Sequence, residues 1–462
     1  MHASCLQGRW HLSRGPAVLL LVLATLLLSA CQAAAPAGDD HPTANASAYL
    51  PVADIVSSLL ADFTSTPADR QLAYIGADGN VYVTDLVNLP LAVTDDATAG
   101  PEGNGRSYHR LVWSPDHRLA FAAIERGLNR VEGAVFVAWP GETPQQVTPG
   151  LDSFVIYLHW SPATCDAAES CRLAYLIEED AGIALRLLEL NPQAGATPSV
   201  TSEMTVGVGR PFYFSWRPDG AVMLWHTGGA TRVDPEAALR RYDLPTASTL
   251  TLPEATGGFQ APAWSADRVH WAAVVDGPAG PRVQIQGPDG AIPLADAPFD
   301  GTFAWSPDGT KLAYAVRARP RDPYFGPLHV YDLATGEVRR LTQPTFRVQA
   351  FFWSPDGRTI AYINWLNLPD AHWAQWRTYT LETDQDRGFA AFNPSYHMRM
   401  VIGSFNQYAQ SHRVWSADSR YLVYANVDAL AQEQVWIVDT HAPRGTKPRF
   451  IAEGALGVWS WE

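Results

Sequence analysis

Eight tryptophans recur along the chain, most of them opening a Ser-Pro-Asp or Ser-Ala-Asp turn. They are Trp113-Ser114-Pro115-Asp116, Trp160-Ser161-Pro162, Trp216-Arg217-Pro218-Asp219-Gly220, Trp264-Ser265-Ala266-Asp267, Trp305-Ser306-Pro307-Asp308-Gly309, Trp353-Ser354-Pro355-Asp356-Gly357, Trp415-Ser416-Ala417-Asp418 and Trp459-Ser460. The intervals run from 41 to 62 residues and average about 49. A unit of that length cannot bury its own apolar face and has to stack on its neighbours, so the repeat restricts the architecture more than any other feature.

Each unit has the grammar of a small antiparallel sheet. A short apolar run leads into the Trp. Pro then presets φ, Asp bonds locally, and Gly accepts a conformation that other residues resist. An alternating apolar strand follows, such as Leu312 to Val316 or Ile360 to Ile363. A third strand comes next, such as Val81 to Asp85, Leu328 to Asp332 or Val435 to Asp439, and a fourth such as Val338 to Thr342. Four antiparallel strands per repeat make one blade of a β-propeller. The Trp is expected to pack between neighbouring blades.

Trp-Ser-Pro-Asp-Gly followed by Leu-Ala-Tyr resembles the WD40-like, TolB-type propeller repeat known as PD40, over about residues 70–462. The resemblance implies an all-β propeller and contacts with proteins, without selecting one function. The copies at Trp160, Trp264 and Trp415 depart from the pattern, so their turns are expected to differ in shape. Leu72-Ala73-Tyr74-Ile75 reads as a second strand with no Trp-Ser before it, whereas Trp459-Ser460 has no second strand after it. Each supplies what the other lacks. We therefore expect eight four-stranded blades, the first completed by the C-terminal strand Gly457 to Trp461, with seven blades as the alternative.

The N-terminus reads as an address. Arg9 and Arg14 precede an apolar run from Pro16 to Leu28, too short to span a bilayer and suited to a signal-peptide core. Leu28-Ser29-Ala30-Cys31 matches a bacterial lipobox, which makes residues 1–30 a lipoprotein signal and Cys31 the lipidated N-terminus. Residues 31–69 then form a tether, Ala/Pro/Asp-rich at first, with helix-like spacing from Val52 to Phe63. Several acyl chains anchor firmly, at about 0.8 kcal/mol per buried CH₂. The expected location is extracytoplasmic, on the outer face of the cytoplasmic membrane or on an outer membrane. Cys165 and Cys171 are expected to form a disulfide in that compartment.

The chain carries 33 Lys and Arg against 47 Asp and Glu, a net charge of −14, and only Lys311 and Lys447 are lysines. A chain this acidic with no basic run is unsuited to nucleic acid. The four cysteines give no CxxC and no zinc spacing, and no GxSxG, HExxH, P-loop or EF-hand occurs. Neither a metal nor another cofactor is called for.

Candidate binding residues fall in three groups. Arg317 to Phe325 is a loop after a second strand that combines Arg319, Arg321 and Tyr324. Asn364 to Trp376 brings Trp365, Trp373 and Trp376 into twelve residues, a composition that suits stacking on a sugar or anchoring a protein, or that caps an apolar gap. The strands before each Trp line the central channel and place His109, Arg110, Tyr157 and His412 there, beside Tyr213, Gln260, Arg347, Gln349 and Gln410. Irregular loops on a rigid scaffold favour binding. The leading expectation is a membrane-anchored binding or scaffold module whose partner is a protein, a peptide or an envelope glycan. The alternative is a polysaccharide-active enzyme of lyase or glycosidase type, with its site at the channel mouth.

Overall fold

The computed structural model describes residues 70–98, 104–127, 130–163, 165, 171–191, 197–229, 237–368 and 371–461. The expected signal peptide, with Cys31 and the expected tether, lies outside the described residues. Among the described residues no helix is long and apolar enough to cross a membrane.

The body is a β-propeller. Its strands hydrogen-bond into seven sheets, six of four strands and one of six. The blade built from Gly301–Trp305, Lys311–Val316, His329–Asp332 and Val338–Arg340 illustrates the pattern, with Phe303 opposite Tyr314 and Tyr314 opposite His329. Its second strand buries four consecutive residues, Leu312 to Ala315, because blades stack on both of its faces. Outermost strands such as Ser248–Thr251 are fully exposed.

The expectation of eight separate four-stranded blades is corrected to seven sheets, the count held as the alternative. The eighth repeat is present but fused. Strand Arg449–Trp459 pairs through Arg449 to Glu453 with Glu433–Asp439 and through Gly454 to Trp459 with Leu72–Gly76. The last and first repeats thereby become one six-stranded sheet, and both chain ends of the propeller lose their open edges. Gly454 is required at the change of partner, since a Cβ there would run into the Ile75 carbonyl oxygen.

The Trp repeat has a specific bond behind it. The indole Nε1 of Trp160 donates to the carbonyl of Val112 at 3.2 Å, that of Trp216 to His159 at 3.4 Å, that of Trp305 to Ala263, that of Trp353 to Ala304 and that of Trp415 to Phe352, the last three at 3.0 Å. Trp113 donates to Val458 across the closure at 3.2 Å. In each case the acceptor is the residue just before the Trp of the preceding repeat.

The turns repeat as closely. Ser306 Oγ donates to Asp308 at 2.6 Å and accepts from Lys311 N at 2.9 Å, and Gly309 closes the turn with φ +71°. Ser354, Asp356 and Gly357 do the same. The Trp415 copy keeps this geometry although Ala417 replaces Pro and Ser419 replaces Gly, so its expected difference in shape is not found. His117, Arg268 and Ser419 hold the positive-φ position in place of Gly, with φ of 66 to 67° for the first two.

Two substitutions at equivalent positions should therefore act in opposite directions. Gly309→Ala puts a Cβ 2.5 Å from Ser265 Oγ of the neighbouring turn; we expect a loss of about 1–3 kcal/mol. Arg268→Gly relieves a strained φ and should be neutral or stabilising by up to about 1 kcal/mol. Urea unfolding of the two variants checks both signs.

Candidate functional site

The channel is filled by the protein's own chain. Between the blade ending at Gln385–Phe392 and the final repeat, the connection forms helices α1 (Tyr396–Gly403) and α2 (Phe405–Tyr408). Ser395 caps α1, accepting from Met398 N at 3.1 Å and donating to the Ala455 carbonyl of the closing strand at 2.6 Å. Met398, Val401, Ile402 and Phe405 recur at helical spacing and are buried.

The plug is fastened to most of the ring. Gln407 Nε2 donates to the Phe214 carbonyl at 2.7 Å while its Oε1 accepts from Phe214 N at 2.8 Å, so the buried amide is matched on both sides. Tyr157 donates from its hydroxyl towards the Gln407 carbonyl, 2.9 Å away, and towards Ser411 Oγ, 2.7 Å away. Asn406 meets Thr302, Gln410 donates to the Pro262 carbonyl at 3.2 Å, and Phe405 packs 4.6 Å from Phe351. Gln410 and His412, expected on an inner strand, instead end the plug. At the end of the channel bearing Pro307 and Pro355, a cavity of about 260 Å³ remains, lined in part by Gln410, His412, Trp415 and Trp461.

Of the channel residues expected from sequence, Arg110 and Tyr157 meet the plug and Gln410 and His412 belong to it, whereas Arg347 stands over Tyr324 on the loop face. His109 Nε2 lies 3.3 Å from the Val155 carbonyl, Arg110 Nη1 lies 3.6 Å from Met400 Sδ, and His412 stacks edge-on against Tyr408 at 4.6 Å. Burial depresses the imidazoles. His109, His159 and His412 fall to about 3, and His226 and His397 to about 4, with the Arg110 charge adding to the effect on His109, His397 and His412. All five are neutral at neutral pH.

The two loop-face groups also meet. Tyr324 lies 6.1 Å from Trp365, and the Arg347 guanidinium lies 5.4 Å over the Tyr324 ring. Arg319 and Arg321 are exposed beside them, Arg321 with φ +64°. Arg317 is taken by Asp300 at 3.3 Å.

The Trp-rich segment is a regular hairpin, Thr359–Leu368 with Ala371–Thr380, rather than an irregular loop. Opposite pairs Trp365–Ala374 and Leu366–Trp373 send Trp365 and Trp373 to different faces. Trp376 is completely buried, 6.0 Å from Phe352, as a core residue. Trp373 borders a groove of about 700 Å³ with Phe392, Tyr424, Trp436, Asn426 and Lys447, a site whose final-repeat half was not singled out in the sequence.

Cys165 and Cys171 are joined by a disulfide, with Cα atoms 4.9 Å apart. Among the described residues the one group with metal-ligand spacing, Asp116 with these two sulfurs, offers no thiolate. Arg118 packs there, donating to Asp116 and to the Asn191 carbonyl.

The family model of the dipeptidyl peptidase IV N-terminal region matches residues 306–449. No curated protein matches the sequence. Among solved structures, TolB from Acinetobacter baumannii is 14% identical, with 73% of this chain and 81% of that chain covered and a TM-score of 0.38. An oligogalacturonate lyase in complex with manganese is 14% identical over 76% and 86% of the two chains, TM-score 0.45. The β-propeller domain of the trilobed protease from Pyrococcus furiosus is 9% identical over 76% and 99%, TM-score 0.46.

The buried imidazoles set an acid limit. Unfolded histidine takes up a proton near pH 6.5, so below that pH the unfolded chain binds more protons than the native one. Their contribution is complete above pH 6.5 and falls as pH drops toward 4, by up to about 1.4 kcal/mol per pH unit for each group. We expect the Tm to fall progressively from pH 7 to pH 5 and the fall to be shallower in His412→Gln; equal slopes in both proteins would contradict this.

Proposed function

We propose that the protein is a lipid-anchored, extracytoplasmic binding module that captures a protein or glycan of the cell envelope on its loop face. The observation that carries this reading is the plug: the channel axis is occupied by α1 and α2, which Ser395, Gln407 and Tyr157 bond to the surrounding strands, so the aromatic surfaces left for a partner lie around it. Two such surfaces adjoin the same hairpin. One is the Tyr324–Arg347–Trp365 cluster with Arg319 and Arg321, and the other is the groove of Trp373 and Trp436. Aromatic and arginine side chains on a rigid scaffold supply most of the energy in many interfaces, and flat rings with nearby amides also suit the faces of sugars.

A polysaccharide-active enzyme remains the second reading, favoured by the groove's size. Turnover on a panel of envelope and acidic glycans by the purified protein would select it.

Trp365→Ala and Trp373→Ala should each reduce partner capture from solubilised membranes at least tenfold while leaving the fold intact. An unchanged set of partners with both residues replaced would overturn the loop-face assignment. Trp376→Ala is unsuitable as a probe, because emptying that core site should cost about 3–5 kcal/mol.

Anchoring is tested separately. Cys31→Ala should move the protein from the membrane pellet to the soluble fraction, and retention in the pellet would refute lipidation.

A further inference from the structure

Arg110 is a buried cation without an anion. Arg110 is 8% exposed, and among the described residues its Nε has no partner and its one side-chain hydrogen-bond contact is the weak acceptor Met400 Sδ of α1. Among the described residues no carboxylate pairs with it, whereas the buried Arg118 has Asp116 and the partly buried Arg377 has Asp386. Buried charges are ordinarily paired, and leaving one unpaired costs several kcal/mol. The acid near the start of α1, Glu433, is already engaged by Tyr396 N.

The surroundings have the same character. His109 and His397 each keep a buried Nδ1 with no partner, and the Arg110 charge acts on both rings. The backbone is also arranged for this residue. Arg110 adopts φ +60° at a bulge between His109 and Val112, a conformation a non-glycine residue holds only when its surroundings impose it. Helix α1 carries no acid in its first turn, and its N-terminal dipole adds positive potential beside His397.

We propose that Arg110, with His397, is the receptor for a small oxyanion, a carboxylate or phosphate group, held against plug helix α1. A planar guanidinium offers a carboxylate or phosphate two parallel N–H donors, and the Nδ1–H of His397 can supply a third, whereas neutral His109 directs its one N–H to the Val155 carbonyl. The bound anion would neutralise the arginine and tie the strand that carries it, Gly105–Trp113, to the plug. This site goes beyond the loop-face reading and is independent of it: Arg110 variants should leave partner capture by Trp365 and Trp373 unchanged.

The test uses the full chain, with sodium phosphate and sodium acetate titrated at constant ionic strength against sodium chloride. Thermal shift and calorimetry should show saturable binding of at least one of the two, and the tighter one identifies the source of the oxyanion. Arg110→Met should weaken that binding at least tenfold while leaving the anion-free Tm equal or higher, and His397→Asn should weaken it by a smaller factor. Arg110→Lys keeps the charge without the planar fork and should also lose at least tenfold, which keeps the test decisive if the Met variant does not fold. No saturable response to either anion, or equal affinity in the wild type and the folded Arg110 variants, would overturn the proposal.

Discussion

The bond from each repeat tryptophan to the carbonyl that precedes its neighbour's tryptophan sets the geometry on which the rest of the propeller depends. A buried indole N–H without an acceptor would be costly, so the bond fixes the height and rotation of one blade against the next. The ring is interrupted in two places. Trp264 and Trp459 have buried Nε1 atoms with no acceptor. Trp264 belongs to an inner strand of only two residues, Ala263–Trp264, and the Arg217 guanidinium lies 5.9 Å over its ring. Trp459 is positioned by the sheet instead, opposite Leu72, in the strand that closes the ring. Just after it, Trp461 donates to the Trp113 carbonyl at 2.8 Å, while Arg413 lies 3.6 Å over its ring. The closure thus carries a second indole at the point where the first and last repeats meet.

A ring of blades leaves an axial space whose walls are polar backbone, and a helical segment that fills it is held by hydrogen bonds between its polar groups and those walls. Gln407 does this with one side chain, bonding both the N–H and the carbonyl of Phe214. Tyr157 serves as the wall's donor to the plug, and Ser395 as the plug's donor to the closing strand. The apolar remainder, Phe405 against Phe351 and Phe352 and Tyr408 against Tyr157, supplies the burial. Because Ser395 bonds Ala455, plug and closure support each other: the strand that seals the propeller's circumference also holds the segment that seals its axis.

The circumference was legible in the sequence and the axis was not. Trp-Ser-Pro-Asp-Gly declares itself because its turn needs particular residues at fixed offsets, and Trp459 opposite Leu72 follows from counting inner and second strands. The plug left one trace, the interval of 62 residues between Trp353 and Trp415, the longest in the chain. Its helices are short, and their hydrogen-bond partners lie on strands 60 to 250 residues away, as with Ala455 and Tyr157. Such partners are fixed only once the ring has closed.

The three tryptophans of one hairpin show the same limit at the scale of a side chain. In sequence Trp365, Trp373 and Trp376 are equivalent, yet strand parity alone sends Trp373 to the face opposite Trp365. Trp376 shares its face with Trp365 but lies deeper in the blade, opposite Ile363, where Phe352 of the inner strand covers it. Trp365 stands two residues nearer the tip and meets Tyr324 from the adjoining blade instead. One periodicity and one distance along the strand therefore separate a core residue from two surface ones, and composition carries neither. A cluster of aromatics in a repeat protein acquires a functional reading only after register has removed the members that the scaffold itself requires.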